Sequence, residues 1–286
     1  MKTPSVFVLG VNGMLGHRVY LRLRERFDVH CSARGQAPSF ASNTHQIYDF
    51  KSATDALSRV RPDVVINCIG VIKQRPEATH PLPSIEINSL FPHQLAWLIR
   101  AWGGRLIHFS TDCVFSGRRS FSHKGGYVES DPSDAGDLYG KSKFLGEVHT
   151  DNALTLRTSV IGRELSNHLS LLEWFLSRRS GSCQGFTNHF YSGVTTIHLA
   201  ELVERLIGTG LHGLYHVTSR PISKYDLLCE LRRAYHLNVE IVPNATTTCD
   251  RILCGDAFNA AMSRTPPLWS ELCDQLARDT FPYGSK

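Results

Sequence analysis

The stretch VFVLGVNGMLGHRVYLRL, residues 6–23, constrains the fold more than any other part of the chain. A run of β-branched and aromatic residues meets three glycines at every third position, Gly10, Gly13 and Gly16, and then an amphipathic run. That pattern predicts a strand, a tight turn and a helix. Glycines there let the turn close and let a pyrophosphate approach the backbone N–H groups at the helix start, where the helix dipole favours negative charge. Gly10, Asn12, Gly13, Met14, Leu15 and Gly16 are therefore candidate cofactor-binding residues.

The same rhythm continues. DVHCSAR reads as a strand, SATDALSRVR as a helix, PDVVINCIG as a strand, SIEINSLFPHQLAWLIRAWG as a long helix and RLIHFSTDCVF as a strand. Alternation of this kind predicts an α/β fold, a doubly wound parallel Rossmann-like sheet. After ALTLRTSVIG the rhythm loosens, with helical HLSLLEWFLSRR, IHLAELVERLIG, SKYDLLCELRRAYH and LWSELCDQLARDT and strand-like GLYHVTS. The expected division is a cofactor-binding domain over 1–160 and a smaller, partly interleaved substrate-binding part over 161–286, with some segments returning to the first.

Composition narrows the function classes. A formal charge of +5 over 286 residues is mild, and no basic stripe interleaves with aromatics, which argues against nucleic acid. The N-terminal apolar run is short and broken by glycine, so neither a signal peptide nor a membrane span is expected. The 8 cysteines include no CxxC pair and no metal-ligand spacing, and the 14 histidines no HExxH, so a reducing cytoplasmic setting and no metal are expected.

The end of the second strand bears on the cofactor. A carboxylate there would hold a ribose diol, whereas an arginine suits a 2′-phosphate. Arg34 stands just beyond VHCSA with no acid at the tip, which favours NADPH over NADH. Asp49 and Phe50 fall where an adenine-edge contact is expected, although an aspartate starting a helix is the competing reading. Cys68, Ile69 and Gly70 close the next strand, where glycine lets the chain pass near the cofactor. Val71 and Lys73 follow as candidate substrate contacts.

DLYGKSKFLGE, residues 137–147, carries Tyr139, Lys141 and Lys143. On a helix, positions four apart share a face and positions two apart nearly oppose. Tyr139 and Lys143 thus form the pair, and Lys141 faces solvent. An ammonium and an oxidised nicotinamide beside a phenol favour its phenolate, which suits Tyr139 to proton transfer. A hydroxyl at the preceding strand end, Ser110 or Thr111, would hold the same carbonyl oxygen. Ser110 is also a candidate on the cofactor side. Asn88 is a candidate buried polar residue that orders a water or a backbone group near the lysine.

These motifs together resemble the extended short-chain dehydrogenase/reductases, and in particular the dTDP-4-dehydrorhamnose reductase-like family of nucleotide-sugar reductases. GVNGMLG resembles the family's cofactor turn, FSTDCVFSG its active-site strand and DLYGKSKFLGE its YxxxK helix. The resemblance implies reduction of a 4-keto-6-deoxy nucleotide sugar, linked to dTDP or UDP, with Thr111 as the catalytic hydroxyl beside Tyr139 and Lys143, and it allows a homodimer. Thr111, Asp112, Cys113, Asn188, His189 and Thr195 are then candidate substrate contacts, and Arg163, Lys224 and Arg251 candidate partners of the diphosphate. Dehydratase relatives usually place an acid where this chain has Cys113. Thr111-Asp112-Cys113 instead resembles the strand of a related epimerase-reductase, which makes Cys113, with His168 as acid partner, the alternative chemistry at C3 and C5. A third alternative is a non-catalytic, NADP-binding regulatory subunit.

Overall fold

The computed structural model describes residues 3–74, 79–118, 125–178 and 180–284. Seven strands form the main sheet in the order Gly213–His216, Ala153–Thr158, Arg105–Thr111, Val64–Asn67, Ser5–Leu9, Asp28–Ala33 and Thr44–Gln46. The ladders from Arg105–Thr111 across to Thr44–Gln46 are parallel. The order reverses at the first strand, as in doubly wound sheets. Strands Ser5–Leu9 and Val64–Asn67 are almost wholly buried, which explains their continuous apolar runs. Helices Phe50–Val60 and Phe91–Arg100 cover the sheet through Ala53, Leu57, Leu95 and Ile99, packed with Phe7, Leu9 and Val65 in one apolar cluster. The short strand Thr44–Gln46 has too polar a sequence, THQ, to be legible as a strand.

The chain divides into two compact units that interleave more than the expected boundary near residue 160. The first comprises 1–110, 137–156 and 199–214, and the second 111–136, 157–198 and 215–286. The first division falls between Ser110 and Thr111, inside a single strand. Segment 199–214 returns to the first unit for a local reason. The half-buried Arg105 guanidinium donates to the carbonyls of Leu206, Thr209 and Leu211, tying down the end of the helix Thr196–Ile207.

The second unit holds a three-stranded sheet ordered Ile222–Ser223, His189–Tyr191 and Cys249–Arg251, and a parallel pair Ser182–Phe186 with Glu240–Asn244. Its apolar core joins Leu172, Phe175, Leu227, Leu231, Trp269 and Leu272. A second focus is polar. Buried His216 donates from Nδ1 to the Tyr127 and Cys254 carbonyls and accepts from Arg157 at Nε2 (3.2 Å). Burial, then the Arg157 charge, pushes this imidazole down to about 3, so it is neutral at every ordinary pH.

The expected long helix over 84–103 is not uniform. A turn of α-helix at Pro81–Ser84 passes into a π-helical segment, Ile85–Leu90, before regular α-helix resumes at Phe91. Pro92 has no N–H to give to the Asn88 carbonyl four residues back, where a regular helix would place one. That carbonyl faces Gly146, whose imagined Cβ would lie 1.8 Å from it. Gly146→Ala is therefore expected to destabilise the protein by about 3 kcal/mol, because backbone rather than a mobile side chain would have to move. Thermal or urea unfolding of the variant against the parent checks this.

Candidate active site

The glycine turn is built as the sequence requires. Gly10 adopts a left-handed φ of 86°, and a Cβ on Gly16 would lie 2.0 Å from the Gly10 carbonyl oxygen. Buried His17 donates from Nδ1 to the Gly13 carbonyl (2.9 Å). Ser32, which sequence reasoning passed over, locks the turn to the second strand: its hydroxyl accepts Gly10 N–H and its carbonyl accepts Val11 N–H, both at 2.9 Å. Asn12 donates to the Gln36 carbonyl, and Arg34 is exposed beyond the strand end. Met14 and Leu15 are half-buried as the chain enters the helix at Gly16. A backbone cradle with no room for side chains, an exposed arginine beyond the adjoining strand and a helix start fit a dinucleotide's pyrophosphate and ribose.

Asp49 takes the competing role. Its carboxylate accepts Ser52 N–H (2.7 Å) and caps the helix Phe50–Val60 in a capping box. Those hydrogen bonds, the Ser52 hydroxyl first, hold its acid below the usual carboxylate range. Beyond Val64–Asn67, Ile69 N–H is held by the Asn67 side chain, and burial pushes the Cys68 thiol up, so it is inert as a nucleophile.

Asn88 organises the next segment. From the π-helical turn, fully buried, its Oδ1 accepts Val71 N–H (2.9 Å) while its Nδ2 donates to the Val71 carbonyl (3.0 Å) and to the Ser142 hydroxyl (3.2 Å). One amide thus clamps the backbone after Gly70 and the helix carrying Tyr139 and Lys143. Gly70 has Asn88 Oδ1 as its nearest neighbour, 3.3 Å from an imagined Cβ. Lys73 is exposed and pairs with Asp137 (2.6 Å), the residue that caps this helix at Gly140 N–H.

On the helix Leu138–Leu145 the spacing argument holds. Lys141 is exposed, Tyr139 half-buried and Lys143 buried, 6% exposed. The Lys143 ammonium donates to the Phe109 carbonyl at 2.7 Å. Burial lowers its pKa to about 8, against the opposing pull of Glu147. Ser110 donates to buried Glu147 (2.6 Å), so its hydroxyl is engaged within the first unit.

In the second unit, the Thr111 hydroxyl donates to the Asp112 carboxylate and accepts Cys113 N–H, both at 3.1 Å, capping the short 3-10 turn Asp112–Val114. Arg251 donates from Nη1 towards Cys113 Sγ (3.4 Å) and from Nε to the Phe115 carbonyl. Lys224 lies over the Tyr191 ring at 4.2 Å. Burial lowers the Lys224 ammonium, while Asp112, Cys113 and Cys249 pull it back up. His189 stacks on Phe186, reaches the Thr247 hydroxyl (2.7 Å) and is lowered by burial, then by Lys224 and Arg251. Asn188 donates weakly to the Ala245 carbonyl (3.4 Å). Two cations, an imidazole and a thiol thus gather about one small sheet.

Other expectations are redirected. Thr195 is fully buried and its hydroxyl accepts His198 N–H, so it serves the start of a helix rather than a substrate. Arg163 binds Glu173 (2.7 Å) and lies over the Tyr283 ring, and His168 Nδ1 binds the same carboxylate at 3.1 Å. Both are committed to Glu173, whose acid these contacts help hold down despite its burial.

A parallel dinucleotide-type sheet, a glycine turn and a helix with Tyr139 and buried Lys143 on one face define an NAD(P)H-dependent oxidoreductase of the extended short-chain dehydrogenase/reductase class. Residues 4–253 match the family described as the RmlD substrate binding domain, and the chain belongs to that family, the dTDP-4-dehydrorhamnose reductase-like nucleotide-sugar reductases. It is 29% identical over 242 residues to the probable low-salt glycan biosynthesis reductase Agl14 of Haloferax volcanii, covering 79% of each chain. It is also 26% identical over 251 residues to methionine adenosyltransferase 2 subunit beta of Danio rerio, covering 81% of this chain and 74% of the relative. The fold superposes on a dTDP-4-dehydrorhamnose reductase of Bacillus anthracis in complex with NADP, with a TM-score of 0.80, 20% identity, and 96% and 99% of the two chains covered. Among the described residues no helix is long and apolar enough to cross a membrane, and no group of three or more His, Cys, Asp or Glu is placed to hold a metal ion.

The state of Lys143 has a consequence for stability. Its folded pKa of about 8 lies below the ordinary 10.5, so between those values the unfolded chain holds a proton that the folded chain lacks. Stability is therefore expected to rise with pH from about 8 to 10.5, by on the order of 3 kcal/mol from this residue. Lys143→Met should abolish that slope, as read by urea unfolding at pH 7 and pH 10.

Proposed function

We propose that the protein reduces the 4-keto group of a 4-keto-6-deoxy sugar carried on dTDP or UDP, with NADPH as reductant. The observation that carries this reading is Lys143, buried, anchored to the Phe109 carbonyl and on the same helix face as Tyr139. When bound, the cofactor supplies the hydride. Gly10, Asn12, Gly13 and Gly16 would hold its pyrophosphate, and exposed Arg34 its 2′-phosphate. The exposed arginine, with no acid at the strand end, supports NADPH over NADH.

The chain's own work is proton transfer and orientation. The Tyr139 phenol donates its proton to the sugar's carbonyl oxygen, and Lys143 stabilises the phenolate left behind. The Thr111 hydroxyl holds the same oxygen, and the Asp112 and Cys113 contacts orient that hydroxyl. Lys224 and Arg251 supply positive charge for the diphosphate, with His189 on the strand that carries Tyr191 and Asn188 in the turn before it.

NADPH oxidation against dTDP-, UDP- and GDP-linked 4-keto-6-deoxy sugars, with NADH in parallel, tests this reading. Turnover with NADPH and a dTDP or UDP substrate is expected, and Tyr139→Phe should lower kcat ~10²-fold or more. No turnover across the panel, or near-normal activity of the Phe variant, would sink the proposal. The first of those results turns attention to a non-catalytic, NADP-binding subunit; the Danio rerio relative's name is that of a subunit.

One contact favours a second reaction at the same site. The Cys113 thiol faces the Arg251 guanidinium at 3.4 Å, which places a sulfur that can carry a proton beside Thr111. Proton exchange at the carbons flanking the keto group would then precede reduction. His168, bound to Glu173, is not needed for exchange by the thiol alone. With unreduced substrate in D2O, deuterium at C3 or C5 that disappears in Cys113→Ser is the expected sign, and its absence in the parent protein rules this chemistry out.

A further inference from the structure

The mechanism above does not use Glu147, a carboxylate only 3% exposed just beyond the Tyr139–Lys143 helix. A buried carboxylate needs compensating partners, or it shifts its proton or destabilises the fold. Its Oε1 accepts the Ser110 hydroxyl at 2.6 Å, and its own N–H is held by the Phe144 carbonyl. Gly146, which allows close approach to the Asn88 backbone, lets the chain turn Glu147 inward at this point. Glu147 and Lys143 thus bind adjacent residues of one strand, the Ser110 hydroxyl and the Phe109 carbonyl.

The Lys143 charge is influenced by Glu147, beyond its own helix, and acts on His108 of the strand Arg105–Thr111, with Tyr139 one turn back and His93 also acting on His108 from the helix Phe91–Arg100. His108 is fully buried, hydrogen-bonded through Nδ1 to Asn67 Nδ2 (3.2 Å), and held neutral by burial first and by the Lys143 charge second. It therefore offers no negative charge. The Phe109 carbonyl offers only a dipole. Glu147 is the group placed to keep a buried ammonium charged.

We propose that Glu147 is a positioning residue for the reduction: its buried carboxylate keeps Lys143 in the ammonium form and, through Ser110, fixes the strand end from which Thr111 projects. This rests on the reading that Tyr139 and Lys143 carry proton transfer. Without the carboxylate the ammonium loses the negative charge opposing its desolvation and gives up its proton at lower pH. Tyr139 then loses the charge that favours its phenolate. One residue thus links the charge of the helix to the geometry of the strand.

Competitive acetylation of the full-length protein with acetic anhydride across pH 6–10, read at Lys143 by mass spectrometry, measures its titration without substrate. Glu147→Gln keeps the shape and an acceptor for Ser110 but removes the charge. Its Lys143 midpoint is expected to fall by about one unit, raising labelling about tenfold at pH values below both midpoints. An unchanged midpoint overturns the proposal. Glu147→Asp, which retains the charge, covers the case in which the Gln variant does not fold. It should keep a midpoint near that of the parent, and a fall of about one unit would show that shape, not charge, governs Lys143. In the reductase assay the alkaline limb of kcat should move to lower pH in Glu147→Gln, whereas a loss equal at all pH values would mean a merely structural role. Because labelling needs no substrate, it stands or falls apart from the sugar assigned above.

Discussion

A single buried ammonium, Lys143 donating to the Phe109 carbonyl, constrains much of the first unit. Placing a charge there is costly, and its pKa of about 8 registers that cost. The surroundings are arranged to hold it. Glu147 approaches from beyond the helix end, His108 stays neutral on the strand, and Asn88 fixes the helix through Ser142. A helix that had only to cover a sheet would present an apolar residue here. This one presents a cation, and the neighbouring π-helical turn holds the helix that carries it, through Asn88 and the close approach of Gly146.

The π-helical turn at Ile85–Leu90 has the same logic. Regular helix would leave Asn88 on a different face and would give its carbonyl no reason to meet Gly146. Segments of this kind are uncommon and cluster at functional sites because they aim a side chain that regular helix cannot. Here the aimed side chain is an amide that satisfies both backbone groups of Val71. The loop after Gly70 is thereby held without a strand of its own.

In the second unit the polar groups divide by commitment. Arg157 and His216 are locked into its interior, and Arg163 and His168 are tied to Glu173. Lys224 and Arg251 remain about Tyr191, Cys113 and Phe115, near Asp112. An arginine's charge is visible in a sequence, but its partner is not. Of three cations named as equals for a diphosphate, Arg163 is thus bound to a carboxylate, while Lys224 lies over the Tyr191 ring and Arg251 meets Cys113 and the Phe115 carbonyl.

Much was legible from residue order alone. The parallel sheet, the glycine turn and the choice of Lys143 over Lys141 all follow from local pattern, which residue order dictates without knowledge of the rest of the chain, whereas Thr111 over Ser110 rests on the family resemblance. The tertiary structure decided what depends on neighbours distant in sequence. Asp49 became a helix cap, Thr195 a buried support and Ser32 the lock on the glycine turn. The unit boundary fell inside a strand, and Glu147 was brought to Ser110 from 37 residues away. Spacing specifies which side chains share a face, whereas burial and long-range hydrogen bonds determine what each of them meets there.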